Sequence, residues 1–259
     1  MAARSLSRIA AVAANTYRET IRERVLYNLI FFAILMTLSS LLLGELSIRQ
    51  DVKVIKDIGF AAIEFFGTLI AVFIGVGLVS KEIERRSLYP LLAKPLGRGE
   101  LFLGKFFGLA FTLLINTAVM TVGLYVALFT ANQPADGGPL EAIYPIYLGL
   151  LLTVAIAMLF STVTSSALAA VCTVGVVLVG RFSDVIRNMR EVLPQAPGWV
   201  VTLLYHLIPD FAKLDYKDRV AYGDPVGGDV LLWLTAYAAA YTAIVLILGS
   251  MAFRSRDFQ

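Results

Sequence analysis

"GFAAIEFFGTLIAVFIGVGLVS", residues 59–80, holds one charged side chain, Glu64, in an otherwise apolar run. As a helix rising 1.5 Å per residue, a run of this length crosses the roughly 30 Å of hydrocarbon in a bilayer. Similar runs occupy 25–44, about 106–130, 143–163, about 165–181 and 230–253. No charge separates the fourth run from the fifth. The runs are too long for barrel strands and do not alternate, so each reads as a helix. The composition agrees: 58% of residues are hydrophobic, 16% are charged and the mean hydropathy is +0.78. A soluble domain carries about a quarter charged residues. The expected fold is an all-α integral membrane protein with six spans over 25–259 and residues 1–24 as a cytoplasmic helix before them.

Basic residues set the orientation. Residues 1–24 carry five Arg, and 81–105 carry Lys81, Arg85, Arg86, Lys94, Arg98 and Lys105. The connection 131–142 has only Asp136 and Glu141, and 45–57 is balanced. Both termini and the 81–105 loop are therefore expected in the cytoplasm, with Arg254 and Arg256 agreeing. The connection 181–229 has six basic residues but seven acidic ones, and counts for less than the short loops.

The first residues do not read as a signal peptide, because their charges are spread and no small-residue cleavage site follows. Leu6, Ile9, Val12, Ala13, Tyr17 and Ile21 recur at helical spacing, with Arg4, Arg8, Arg18 and Arg22 on the remaining surface. Such a helix is expected in the membrane interface, as an anchor to anionic lipid or as a docking element. Within 182–229, "PGWVVTLLYHLIPDF" is apolar but too short to cross. Short helices dipping back from the outer side are expected there.

Two features invite a chemical reading. Gly99-Glu-Leu-Phe-Leu-Gly104-Lys105 approaches a phosphate-binding loop, yet Phe106 stands where Ser or Thr should hold magnesium. A turn precedes it and a span follows, so nucleotide hydrolysis in this chain is not expected. Glu64 lies about five residues into the second span, where a carboxylate must be paired or protonated. It is the intramembrane functional candidate, in a substrate path or dimer interface on one reading and with a structural role at the outer rim on the other. Asn116 suits packing between spans, Arg181 is expected to snorkel to the outer headgroups, and His206 to make an interfacial hydrogen bond. One His, and one Cys (Cys172) inside a span, argue against a zinc or haem site and against a membrane-embedded enzyme.

The segment "KEIERRSLYPLLAKPLGRGELFLGKFFG" (81–108) resembles the connection between spans two and three of type-2 ABC transporter permeases. "TYRETIRERVLYNLIFF" (16–32), "LPQAPGWVVTLLYHLIPDFAKLD" (193–215) and "FRSRDF" (253–258) extend the likeness along the chain. Within that family it is similar to the permease of the nitrous-oxide reductase maturation system. Lys81 and the Arg85-Arg86 pair depart from more acidic members.

The resemblance implies a transmembrane subunit of an ABC exporter in a bacterial inner membrane, working as a pair. It implies no catalytic, cofactor or metal site here, with ATP and Mg held by a separate ATPase subunit. Glu82, Glu84, Arg85 and Arg86 become residues coupling the 81–105 loop to that subunit. "STVTSS" (161–166) becomes a second, smaller cytoplasmic contact. The partners implied are the ATPase, a second permease copy and membrane lipid, with no nucleic acid. The rival reading is a membrane assembly or scaffold protein without transport.

Overall fold

The computed structural model describes residues 2–22, 51–85, 97–130, 138–183 and 208–255. All regular structure among them is helical. The helices are α1 (Ala2–Arg22), α2 (Asp51–Arg85), α3 (Arg98–Thr130), α4 (Gly138–Val163), α5 (Ser166–Arg181), a single 3-10 turn at Ala212–Leu214, α6 (Lys217–Ala221) and α7 (Gly228–Ser255). Four stretches are long and apolar enough to cross a membrane: Lys53–Gly77, Gly99–Phe129, Gly138–Val163 and Gly228–Phe253. The run expected at 25–44 lies outside the described residues, as do most of the short outer helices expected over 194–209, His206 included.

Two helices begin earlier than their apolar runs. α2 starts at Asp51 rather than 59, and α3 at Arg98 rather than 106. Apolar runs mark depth in hydrocarbon, whereas backbone hydrogen bonding continues through charged residues such as Lys53, Lys56 and Asp57. The start of α3 has a local cause. Glu100 reaches back to accept the Gly97 N–H at 3.4 Å while the Gly97 carbonyl accepts the Leu101 N–H at 3.1 Å, in the manner of a capping box.

The α4–α5 break has no charge to mark it. There the hydroxyls of Thr162 and Thr164 donate to the carbonyls of Leu159 and Phe160, at 2.6 and 2.9 Å. These bonds compete with the helix ladder, and Ser165 takes an extended conformation before α5 starts.

α4 is central, with most of its apolar stretch buried, while α7 is peripheral, with little of its own buried. A helix apolar on all sides suits the central place. α2 approaches α4 closely because Gly67 faces Leu150 and Gly75 faces Ala157, and the Ser161 hydroxyl donates to the Val76 carbonyl at 3.0 Å. These contacts advance together along both helices, so α2 and α4 run parallel. Phe102 of α3 meets Phe253 near the end of α7, so those two run antiparallel. The core joining them includes Phe60, Ile63, Leu109, Leu113, Leu150 and Met158.

Candidate functional site

Two charged regions lie at opposite ends of the bundle. At the Arg98 end, α1 lies along α3. Val12 and the Ile9 carbonyl sit on Gly104, Thr16 and the Ala13 carbonyl on Gly108, and Tyr17 packs edge-on against Phe111 at 4.9 Å. Arg8 faces Glu100 at 3.8 Å. The register advances in step on both helices, so they run parallel over about three turns. A Cβ on Gly108 would lie 2.7 Å from the Ala13 carbonyl oxygen, which is why two small residues four apart are needed here. The near-match to a phosphate loop is thus a helix-packing surface, with Gly104 beneath α1 and Lys105 buried within the bundle. Glu82, Glu84 and Arg85 fall in the last turn of α2, and Arg86 lies outside the described residues.

At the Glu141 end the sequence candidate Glu64 becomes the centre of an ion-pair cluster. It sits 13 residues beyond Asp51, where α2 began, so it is deeper along its helix than the apolar run suggests. Its Oε1 meets the Arg181 guanidinium at 2.6 Å, and its Oε2 meets the Lys217 ammonium. Lys217 also reaches Asp215 at 3.2 Å. The side chains of Glu64, Lys217 and Arg181 are 15%, 17% and 29% exposed. Two acids and two bases leave no net charge, which is what a weakly solvated site requires. Burial alone would lower the pKa of Lys217. Its hydrogen bonds to and the charges of Glu64 and Asp215 outweigh that, holding the ammonium above its ordinary 10.5. Arg181, expected to reach outward to headgroups, instead turns to Glu64 because a carboxylate lies within reach.

The cluster joins three elements because α5 is short. Its 16 residues span about 24 Å, below the hydrocarbon thickness. The chain from Pro209 onward crosses over its end. The Phe211 N–H donates to the Gly180 carbonyl at 2.9 Å, and a Cβ on Gly180 would come within 2.4 Å of the Pro209 carbonyl oxygen. Asp210 accepts from Ser183 at 2.5 Å and from the Ala212 N–H at 3.1 Å, and its own N–H donates to the Tyr237 hydroxyl at 2.7 Å. Glu141 accepts the Val226 N–H at 2.7 Å, and Lys53 lies 3.3 Å from the centre of the Tyr222 ring. Residues 209–226 therefore form a strap tied to α2, α4, α5 and α7. Lys217, Asp215 and Asp210 were not singled out from sequence.

Thr68, Pro145, Gly149, Thr153 and Phe211 help to line a small cavity beside Glu64, with room for about one water. The carboxylate is engaged by two cations, so the arrangement fastens elements together and offers no ready general base. Asn116 lies elsewhere, on α3, 2% exposed and with neither amide atom hydrogen-bonded. Among the described residues no group of three or more His, Cys, Asp or Glu is placed to hold a metal.

Residues 10–258, nearly the whole chain, match the family described as ABC-2 family transporter protein. No curated protein matches the chain.

Proposed function

Because the chain belongs to the ABC-2 family of transporter proteins, we propose that it is the membrane subunit of an ATP-driven exporter, paired with a second copy and with separate ATPase subunits. The observation that carries the coupling is the length of α2 and α3. The apolar stretch of α2 closes at Gly77, yet the helix continues through Glu82 and Glu84 to Arg85, about 12 Å further. α3 begins at Arg98 and carries α1 on its first turns. The segment between them thus leaves and enters the bundle on rigid helices, and a push on it moves both. Glu82, Glu84, Arg85 and Arg86 are the residues proposed to meet the ATPase, where ATP and Mg are bound and hydrolysed.

Six spans follow when 25–44 and α5 are counted with the four long helices. Both termini and the Arg98 end then face the cytoplasm, and the Glu64 cluster lies towards the outer face of a bacterial inner membrane. The sequence resemblance to the nitrous-oxide reductase maturation permease supports placing the chain in that branch.

The test is co-expression and co-purification with ABC ATPase subunits from the same genome, in mild detergent, read by native mass spectrometry. The expected species holds two copies of each chain and is lost in Glu82→Lys/Glu84→Lys, with the melting temperature of the permease unchanged. A chain that purifies alone or only with non-ATPase proteins would replace this reading with the scaffold one.

A further inference from the structure

Between the strap and the start of α7 lies a cleft of about 380 Å³ lined by Lys213, Tyr216, Asp229, Val230, Trp233 and Leu234. It is separate from the Glu64 cluster, and the transport reading above makes no use of it. We propose that it binds the headgroup of a zwitterionic phospholipid, with the phosphate on Lys213 and the ammonium between Asp229 and the aromatic walls.

Lys213 is presented for such a role. Its ammonium lies 3.6 Å from Asp210, longer than a close hydrogen bond, and 5.3 Å from the centre of the Tyr237 ring. Its side chain is 46% exposed. Asp210 meanwhile is held by Ser183 and by the Ala212 N–H, so an arriving phosphate can take N–H donors from Lys213 without leaving Asp210 unpaired. Asp229 is exposed in the first turn of α7 and supplies the opposite charge on the same cleft. Trp233, 65% exposed and stacked on Tyr237, offers a ring face to an ammonium, and Tyr216, which has the Arg219 guanidinium 6.0 Å from its ring centre, completes the wall.

A soluble zwitterion would satisfy those charges equally well, but the surface below the cleft favours a lipid. Along α7 the residues at helical spacing from the cleft are Tyr237, Tyr241, Ile244 and Leu248, with Ile244 and Leu248 exposed. An acyl chain leaving the headgroup meets an apolar track on the least buried of the four long helices among the described residues. Trp233 sits five residues into α7, about 7 Å along its axis, near the helix end, and indole rings are enriched at membrane interfaces.

The experiment uses the full chain in detergent with added phosphatidylethanolamine or phosphatidylglycerol, binding being read by native mass spectrometry and by the shift in melting temperature. Phosphatidylethanolamine is expected to bind about tenfold more tightly, one ion pair in a partly desolvated site being enough for that ratio. Lys213→Gln should weaken both lipids, and Asp229→Asn should abolish the preference while leaving phosphatidylglycerol binding intact. Both residues are on the surface, and equal melting temperatures without lipid would confirm that the variants fold. Equal binding of the two lipids by the unaltered protein overturns the proposal, as does a preference that survives Asp229→Asn. Binding of glycerophosphoethanolamine as tight as that of the lipid would also overturn it, by removing the acyl track.

Discussion

Replacing Glu64 by Gln keeps the shape of the side chain and removes the charge that Arg181 and Lys217 share. Breaking a buried ion pair costs about 3–5 kcal/mol, and breaking an exposed one about 0–1. With side chains 15–29% exposed, the cluster falls nearer the buried case. Asp215 still reaches Lys217 at 3.2 Å, so only Arg181 is left without a carboxylate. The expected loss is therefore about 2–3 kcal/mol, the buried value reduced for that partner and for residual exposure. In a chain of this size it lowers the melting temperature by about 5–10 °C, read in detergent by loss of the monodisperse peak after heating.

The companion variant is Glu64→Leu with Arg181→Met and Lys217→Met, which removes the three least exposed charges together, keeps most of the apolar stems and leaves only Asp215, 42% exposed, to the solvent. It should recover most of the loss, because the cost lies in uncompensated charge and not in the missing bonds. A Glu64→Gln protein melting within about 1 °C of the unaltered one would refute the reasoning on that scale. So would a triple variant no more stable than the single one, since shape and not charge would then be responsible.

The pKa of Lys217 is raised on folding, so its contribution is complete below the ordinary 10.5 and is lost as pH climbs through the higher folded value. The unaltered protein should destabilise more steeply than Lys217→Met in melts above about pH 10.5, and parallel curves would sink the assignment. Gly108→Leu drives a side chain into the Ala13 backbone, an overpacking cost of about 1–3 kcal/mol, and should lift α1 and speed tryptic cleavage at Arg18. Unchanged cleavage would mean that α1 is not seated on α3. Asn116→Leu removes two unpaired buried polar atoms and should stabilise by about 1–3 kcal/mol; a lower melting temperature would show that the amide is in use.

Sequence pattern disclosed whatever depends on neighbours along the chain. Apolar run length located α2, α3, α4, α5 and α7, and the hydroxyl-rich "STVTSS" sat where an unbroken apolar stretch divides into α4 and α5. Glu64 was visible because a carboxylate in an apolar run demands an explanation. Its partners were not visible. Lys217 lies 153 residues away in a connection rich in both charges, where any one of them reads as a solvated side chain. Gly104-Lys105 misleads for the opposite reason, since Gly104 belongs both to a phosphate-loop spacing with Gly99, five residues before, and to a close-packing pair with Gly108, four residues after. Local order cannot decide between those until α1 is seen above them.

The pairing of Glu64 and the brevity of α5 are one fact seen from two sides. A helix of 16 residues ends with its last carbonyls and the Arg181 charge to be satisfied where the strap crosses it. The Phe211 N–H satisfies a carbonyl there, and Glu64 satisfies the charge. The one acid then has to serve the strap as well, through Lys217. This fastens the strap to α2, and α2 runs unbroken for 21 residues from Glu64 to Arg85, about 31 Å. On the proposed function, displacement at Glu82 and Glu84 is carried along a continuous helix to the outer strap without a hinge between them. The cluster is then the point at which such a movement would be resisted or released. Weakening it by Glu64→Gln should alter ATP turnover by the proposed complex, although the cluster lies 21 residues along α2 from Arg85, among the residues proposed to meet the ATPase.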